Sequence, residues 1–214
     1  YVPGKPRELI EIGDGFDFHF NTSVRLYRRI SRKFAKFSGS GTIKALAGGG
    51  DMRENRVRVR DYGRIIRSDD PRLRSIPSVR GRDCKLHFLA AGAFSRMAHQ
   101  IFTDIGVELK AASGWRAHRW SSLTEYEAYL VAHYGSVARG RKWIAYDSPH
   151  ETGLAVDLQC GGLQPVSKTA RAQKQTLLYA WLSDHAESYG FSPYLPEPWH
   201  WEYHISLDDW RRES

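Results

Sequence analysis

Two short stretches, about forty residues apart, constrain this 214-residue chain more than anything else in it. The first is Ser148-Pro-His150-Glu-Thr-Gly153-Leu-Ala155-Val-Asp157, and the second is Glu197-Pro-Trp-His200. The first sets an imidazole and a carboxylate on either side of a glycine turn. The second sets a carboxylate three residues ahead of another imidazole. Two histidines and one aspartate can fill three corners of a zinc tetrahedron and leave the fourth for water. To use them so, the fold must pair a strand at 154–158 with a closing strand at 199–204. Gly153 can take backbone conformations that other residues avoid, which lets the chain turn back between His150 and Asp157. Ala155 shares a strand face with Asp157, where a larger side chain would fill the metal's space. Pro198 stiffens the approach to His200, and Trp199 points to the opposite face. Glu197 is left as a carboxylate that no ligand position needs, free to take a proton from water.

Plainer readings compete with this one. A lone histidine is ordinarily structural, and His150 with Asp157 could be a strand-capping pair. His150-Glu151 is not a zincin motif, because Leu154 stands where that motif needs its second histidine; Glu151 reads as a solvated neighbour. His204 follows His200 by four with Glu202 between, a row that could supply a ligand or a supporting partner, though a surface histidine at a strand end is the simpler reading. His118 is placed for the rim of a cleft. His87, His99, His133 and His185 fall in predicted helices as surface or core residues.

Taken together with Ser113-Gly-Trp-Arg116, the pattern Ser-x-His-x-x-Gly-x-Ala-x-Asp followed by Glu-x-Trp-His resembles the LAS metallopeptidases, named for lysostaphin, D-alanyl-D-alanine metallopeptidase and sonic hedgehog. Within that family it is most similar to the VanY-type D,D-carboxypeptidases. The resemblance covers roughly residues 84–214, with Trp115 where the family has tyrosine. It implies zinc as cofactor, held by His150, Asp157 and His200, with Glu197 as general base. Arg116 would polarise the scissile carbonyl, and Ser148 would touch substrate. The implied reaction is hydrolysis of peptide bonds in bacterial peptidoglycan stem peptides, most simply as a D-alanyl-D-alanine carboxypeptidase or related endopeptidase. Family members with aspartate in place of Glu197 tend to be L-alanyl-D-glutamate endopeptidases, so an endolysin-like activity is the nearest alternative. From another class, an inactive zinc-binding recognition module is opposed by the presence of both Glu197 and Arg116. The implied location is extracytoplasmic, in the periplasm, the cell wall or secreted, and a phage-encoded origin fits equally.

The remaining chain predicts an α+β fold: a small antiparallel sheet carrying the zinc site, packed on helices, behind a basic N-terminal extension. Apolar residues from Leu86 to Ile105 recur at helical spacing and predict a long core helix ended by Gly106. Leu123–Tyr134 and Thr169–Tyr189 predict two more helices, stopped by Gly135 and Gly190. Val107–Ala112 predicts a short strand and Leu207–Arg212 a terminal helix. Ahead of these, 16–20 reads as a strand, 24–37 as an amphipathic surface helix and 38–50 as a loop. Residues 56–60 alternate Arg and Val as an exposed strand would, and 64–82 reads as an extended connector.

Net charge is +8, and it is unevenly placed. Residues 1–83 hold 19 Lys and Arg against 10 Asp and Glu, whereas 84–214 hold 13 against 14. This split predicts two parts: a basic module at 1–83 that does no chemistry, and a zinc peptidase domain at 84–214. Such a module suggests an anionic polymer of the cell envelope as partner. Specific nucleic-acid binding is disfavoured, since its basic residues alternate with Val and Ile and not with stacking aromatics. No stretch approaches the roughly 20 apolar residues a membrane helix needs. Cys84 and Cys160 could form one bridge; two buried thiols are the slightly favoured reading.

Overall fold

The computed structural model describes residues 56–81 and 83–213. The strand expected at 16–20, the helix at 24–37 and the loop at 38–50 lie outside them. Among the described residues, no helix is long and apolar enough to cross a membrane.

The chain order is α1 (Val59–Tyr62), β1 (Leu73–Ile76), β2 (Cys84–His87), α2 (Phe88–Ile105), β3 (Ala111–Ser113), α3 (Leu123–Tyr134), α4 (Val137–Gly140), β4 (Ala155–Leu158), α5 (Ala170–Gln173), α6 (Leu177–His185), β5 (Phe191–Tyr194), β6 (Glu197–Tyr203) and α7 (Leu207–Glu213). The class is α+β, as expected. A four-stranded sheet runs β3-β4-β6-β5, and β1 and β2 form a separate pair. Every pairing of strands is antiparallel.

Helix α2 is the hub of the core. Its apolar stripe buries Ala90, Ala93, Phe94, Met97 and Ile101 completely. They pack against Leu154, Val156 and Leu158 of the β4 region and Trp181 and Leu182 of α6 within one cluster. Burying one such large side chain is worth about 1.5–3 kcal/mol. Gly106, in the left-handed region, ends the helix and returns its N–H to Phe102. A smaller cluster of Trp120, Tyr126 and Leu130 anchors α3. Cys84 and Cys160 are both buried free thiols. Burial pushes the Cys84 thiol up to about 11 and that of Cys160 up to about 12.

Two expectations change. The helix expected at 169–189 is interrupted: α5 stops at Gln173, and α6 starts afresh at Leu177. The Thr176 hydroxyl caps this new helix by accepting from Tyr179 N at 3.1 Å. Ahead of Glu197, β5 hairpins into β6 through Leu195 and Pro196. Residues 56–60 are no strand. They lead into the single turn of α1, with Val57 and Val59 buried and Arg58 and Arg60 exposed.

No break in packing coincides with the expected boundary at 83/84. Among the described residues, 56–81 and 83–213 fall in one compact unit. β1 pairs with β2 from Leu73↔His87 to Ile76↔Cys84. Ile65 donates its N–H to Glu151 O at 2.8 Å. Among the arginines expected to face a polyanion, Arg56 is instead turned inward onto Glu202.

Candidate metal centre

The β4–β6 pairing delivers the two halves of the site. Asp157 lies opposite His200 in register, and Ala155 opposite Glu202. Side chains two apart on a strand share a face, so His200 and Glu202 stand side by side, as do Ala155 and Asp157. His150 arrives from the 3-10 turn Pro149–Thr152, just ahead of β4. Gly153 closes that turn at φ 74°, a conformation costly for any residue with a Cβ. A Cβ there would also come within 2.8 Å of His87 N.

His150, Asp157 and His200 thus converge, with one ligand atom from each within 4.8 Å of the others. All three are buried. Asp157 Oδ1 lies 3.0 Å from His200 Nδ1 and 3.3 Å from His150 Nε2. Each imidazole is fixed from its far side. His150 Nδ1 is 2.7 Å from the Gly114 carbonyl, to which it donates. His200 Nε2 is 3.0 Å from Glu202 Oε1. Partners of this kind set which ring nitrogen faces the centre. Burial works against charge on His200, yet the carboxylates of Asp157 and Glu202 raise its pKa to about 9. Burial, with Arg116 and His200 adding to it, drives His150 the other way against the pull of Asp157. Burial would raise the Asp157 carboxyl, but His150 and His200 overcome it and hold it well below the usual range.

The expected Ser-Gly-Trp-Arg segment has a structural reason for its glycine. A Cβ on Gly114 would sit 2.4 Å from the Lys85 carbonyl oxygen and 3.1 Å from Cys84 Sγ. Close approach lets Trp115 N donate to Lys85 O at 2.7 Å. Trp115 Nε1 donates to Ile65 O at 3.0 Å. Arg116 follows, exposed, with its N–H on His150 O at 3.3 Å.

Arg116, Ser148 and Glu197 all line a cleft of about 420 Å3 that opens onto His150, Asp157 and His200. Glu197 is half-buried at the start of β6. Burial raises its carboxyl; His200 pulls it down, and Asp157 raises it further. The six residues singled out from the sequence therefore meet at one place.

One carboxylate was misread from the sequence, and a second was named there only within the row that could supply a supporting partner. Glu151 is no solvated neighbour: it is 3% exposed. It accepts from Ser148 N at 3.0 Å and Arg64 Nε at 2.7 Å, and it lies 3.0 Å from His118 Nδ1. Arg64 also pairs with Asp147. This network pins both ends of the turn that carries His150. Glu202 is 1% exposed and accepts from Arg56 and Val57 besides facing His200. Its alternation with His200 on a strand was the available signal. His204 stands past the end of β6 and outside the converging group.

A buried His-Asp-His group on a small antiparallel sheet, open to a cleft, defines a site of metallopeptidase type. Residues 83–206, more than half of the chain, match the family model VanY: D-alanyl-D-alanine carboxypeptidase. The chain belongs to that family and is a peptidase. Among solved structures it is similar to the LdcB LD-carboxypeptidase, at 22% identity over 70% of this chain and 79% of that one, with a TM-score of 0.51. It is also similar to the D,D-pentapeptidase VanY of the VanB-type vancomycin resistance cassette, a glutamate-to-alanine mutant in complex with Zn(II), at 21% identity over 70% and 84%, TM-score 0.44. A third similar structure is VanYB in complex with D-alanine-D-alanine, at 22% identity over 70% and 85%, TM-score 0.45. No curated protein matches the chain.

Proposed function

We propose that this chain is a zinc-dependent peptidase of peptidoglycan stem peptides, acting as a D-alanyl-D-alanine carboxypeptidase or a related endopeptidase. One observation carries the metal: three electron-pair donors face one another in a buried place. His150 gives its Nδ1 proton to Gly114, so its Nε2 is a lone pair; that atom is buried and has no hydrogen bond. His200 Nε2 donates to Glu202, which leaves Nδ1, 3.0 Å from Asp157 Oδ1, as the ligand atom once a metal displaces its proton. The Asp157 and Glu202 carboxylates favour a proton on His200 in the metal-free chain, and a metal cation would take that proton's place beside Asp157. Two imidazoles and one carboxylate suit zinc, and His150, Asp157 and His200 would hold it where they line the cleft.

Zinc, when bound, lowers the pKa of a coordinated water and polarises a substrate carbonyl. The chain's own groups do the rest. Glu197 is a half-buried carboxylate whose raised pKa suits it to accept the water's proton and pass it to the leaving amine. Arg116 supplies a guanidinium to the oxygen that becomes negative during attack. Ser148, on the cleft wall, contacts the substrate peptide. A wall substrate places the enzyme outside the cytoplasmic membrane, in the periplasm, the wall or secreted.

Zinc content together with release of D-alanine from stem peptides ending in D-alanyl-D-alanine tests this. One zinc per chain and metal-dependent release are expected. Glu197→Gln should keep the zinc and lose about 10²–10⁴-fold in turnover. A chain that binds no zinc, or a Glu197→Gln protein of nearly full activity, overturns the reading. Cleavage only between L-alanine and D-glutamate would select the endopeptidase alternative.

A further inference from the structure

We propose that Arg56 and the Val57 amide, upstream of the family-matched region, are positioning groups that lock Glu202 against His200 and so tune the metal centre. The inference rests on His200 being a zinc ligand. Arg56 Nε donates to Glu202 Oε1 at 2.8 Å across 146 positions of sequence. Val57 N donates to Glu202 Oε2 at 2.6 Å in a buried bond. The oxygen held by Arg56 is the one that His200 Nε2 faces at 3.0 Å. Both carboxylate oxygens are thereby fixed, and with them the plane in which Glu202 meets the imidazole.

A second contact points the same way. The Arg56 guanidinium lies 3.8 Å over the Tyr194 ring, and Tyr194 sits edge-on to His200 with centroids 5.9 Å apart. One arginine therefore holds two neighbours of the same imidazole. A buried carboxylate with no cation beside it would draw the His200 proton too strongly or turn away from it; the Arg56 charge balances it. Supporting partners of a metal-bound histidine are worth about 10–100-fold in affinity or activity. Arg56 also lines the cleft, so direct contact with substrate is the rival role.

The experiment uses the full chain. Zinc affinity is measured by chelator competition, the melting temperature of the metal-free protein by calorimetry, and the cobalt-substituted site by its visible absorption. Stoichiometric zinc on the wild type checks the underlying reading separately; without it, that reading and this one fall together. Arg56→Ala is expected to weaken zinc about tenfold and shift the cobalt spectrum, with Arg56→Lys recovering part of the loss. In a Glu202→Gln background, Arg56→Ala should add nothing further. Unchanged zinc affinity, or equal losses in both backgrounds, overturns the proposal. So does a raised KM at unchanged affinity, which would make Arg56 a substrate contact. If Arg56→Ala does not fold, the comparison of Arg56→Lys with wild type decides on the same criteria.

Discussion

Replacing Gly114 by alanine should damage the metal centre without touching a ligand. The added Cβ would lie 2.4 Å from Lys85 O. An unstrained carbon–oxygen contact is about 3.3 Å or more, so the backbone must move by roughly 0.9 Å. The β2 carbonyl cannot give way easily, because it already accepts from Trp115 N at 2.7 Å. The carbonyl of Gly114 is what holds His150 Nδ1, at 2.7 Å. A shift of that size along the bond takes it to about 3.6 Å, where it is no longer a hydrogen bond. Overpacking of this kind costs about 1–3 kcal/mol of stability, and loss of a histidine's supporting partner costs about 10–100-fold in metal affinity. Urea unfolding of the metal-free protein and chelator competition for zinc measure the two effects separately. The reasoning is refuted if Gly114→Ala loses stability while His150 keeps full zinc affinity, for then the carbonyl does not orient the ring.

Glu151→Ala should destabilise by about 2–4 kcal/mol, since it leaves Ser148 N, His118 and Arg64 without their shared acceptor; an unfolding free energy from urea titration within about 0.5 kcal/mol of wild type would mean the turn holds itself. His87 is fully buried, its Nε2 has no partner among the described residues, and burial lowers its pKa to about 4. Its folded pKa is below its unfolded value, so stability should fall as pH drops from about 6.5 toward 4, by up to roughly 2–3 kcal/mol. His87→Leu should flatten that part of the melting-temperature profile, and an unchanged slope would exclude it as the cause. Deleting residues 1–83 removes β1 and the cations facing Glu151 and Glu202, so cooperative unfolding should be lost; a folded, active fragment would revive the separate accessory module.

What could be read from sequence was what depends on neighbours in the chain. α2 and α3 were legible almost to the residue, because a long apolar period ends at a glycine suited to the left-handed cap. The break at Thr176 carried no Gly or Pro, only a hydroxyl three residues ahead of the amide it caps. Strand β5 was hidden by Pro193, with Pro196 and Pro198 close by. Yet it is the edge of the sheet, where a missing N–H can be tolerated. Alternation over 56–60 gave the right buried face and the wrong element, since five residues are too few to separate one turn of helix from a strand.

The same division explains the site. His150, Asp157, His200 and Glu197 occur in local patterns whose spacing itself encodes a turn and two strands. Glu151 and Glu202 do not, because whether a carboxylate is solvated or buried is decided by what reaches it from elsewhere. Here the answer comes from Arg64 and Arg56, 87 and 146 positions away. Uneven charge suggested that the basic front was separable from the chemistry. Those two of its arginines instead neutralise the carboxylates that hold the turn before β4 and the imidazole of β6. A charge surplus in one stretch of sequence therefore does not by itself mark a surface for an external polyanion: part of it can be the counter-charge of a buried site encoded much later in the chain.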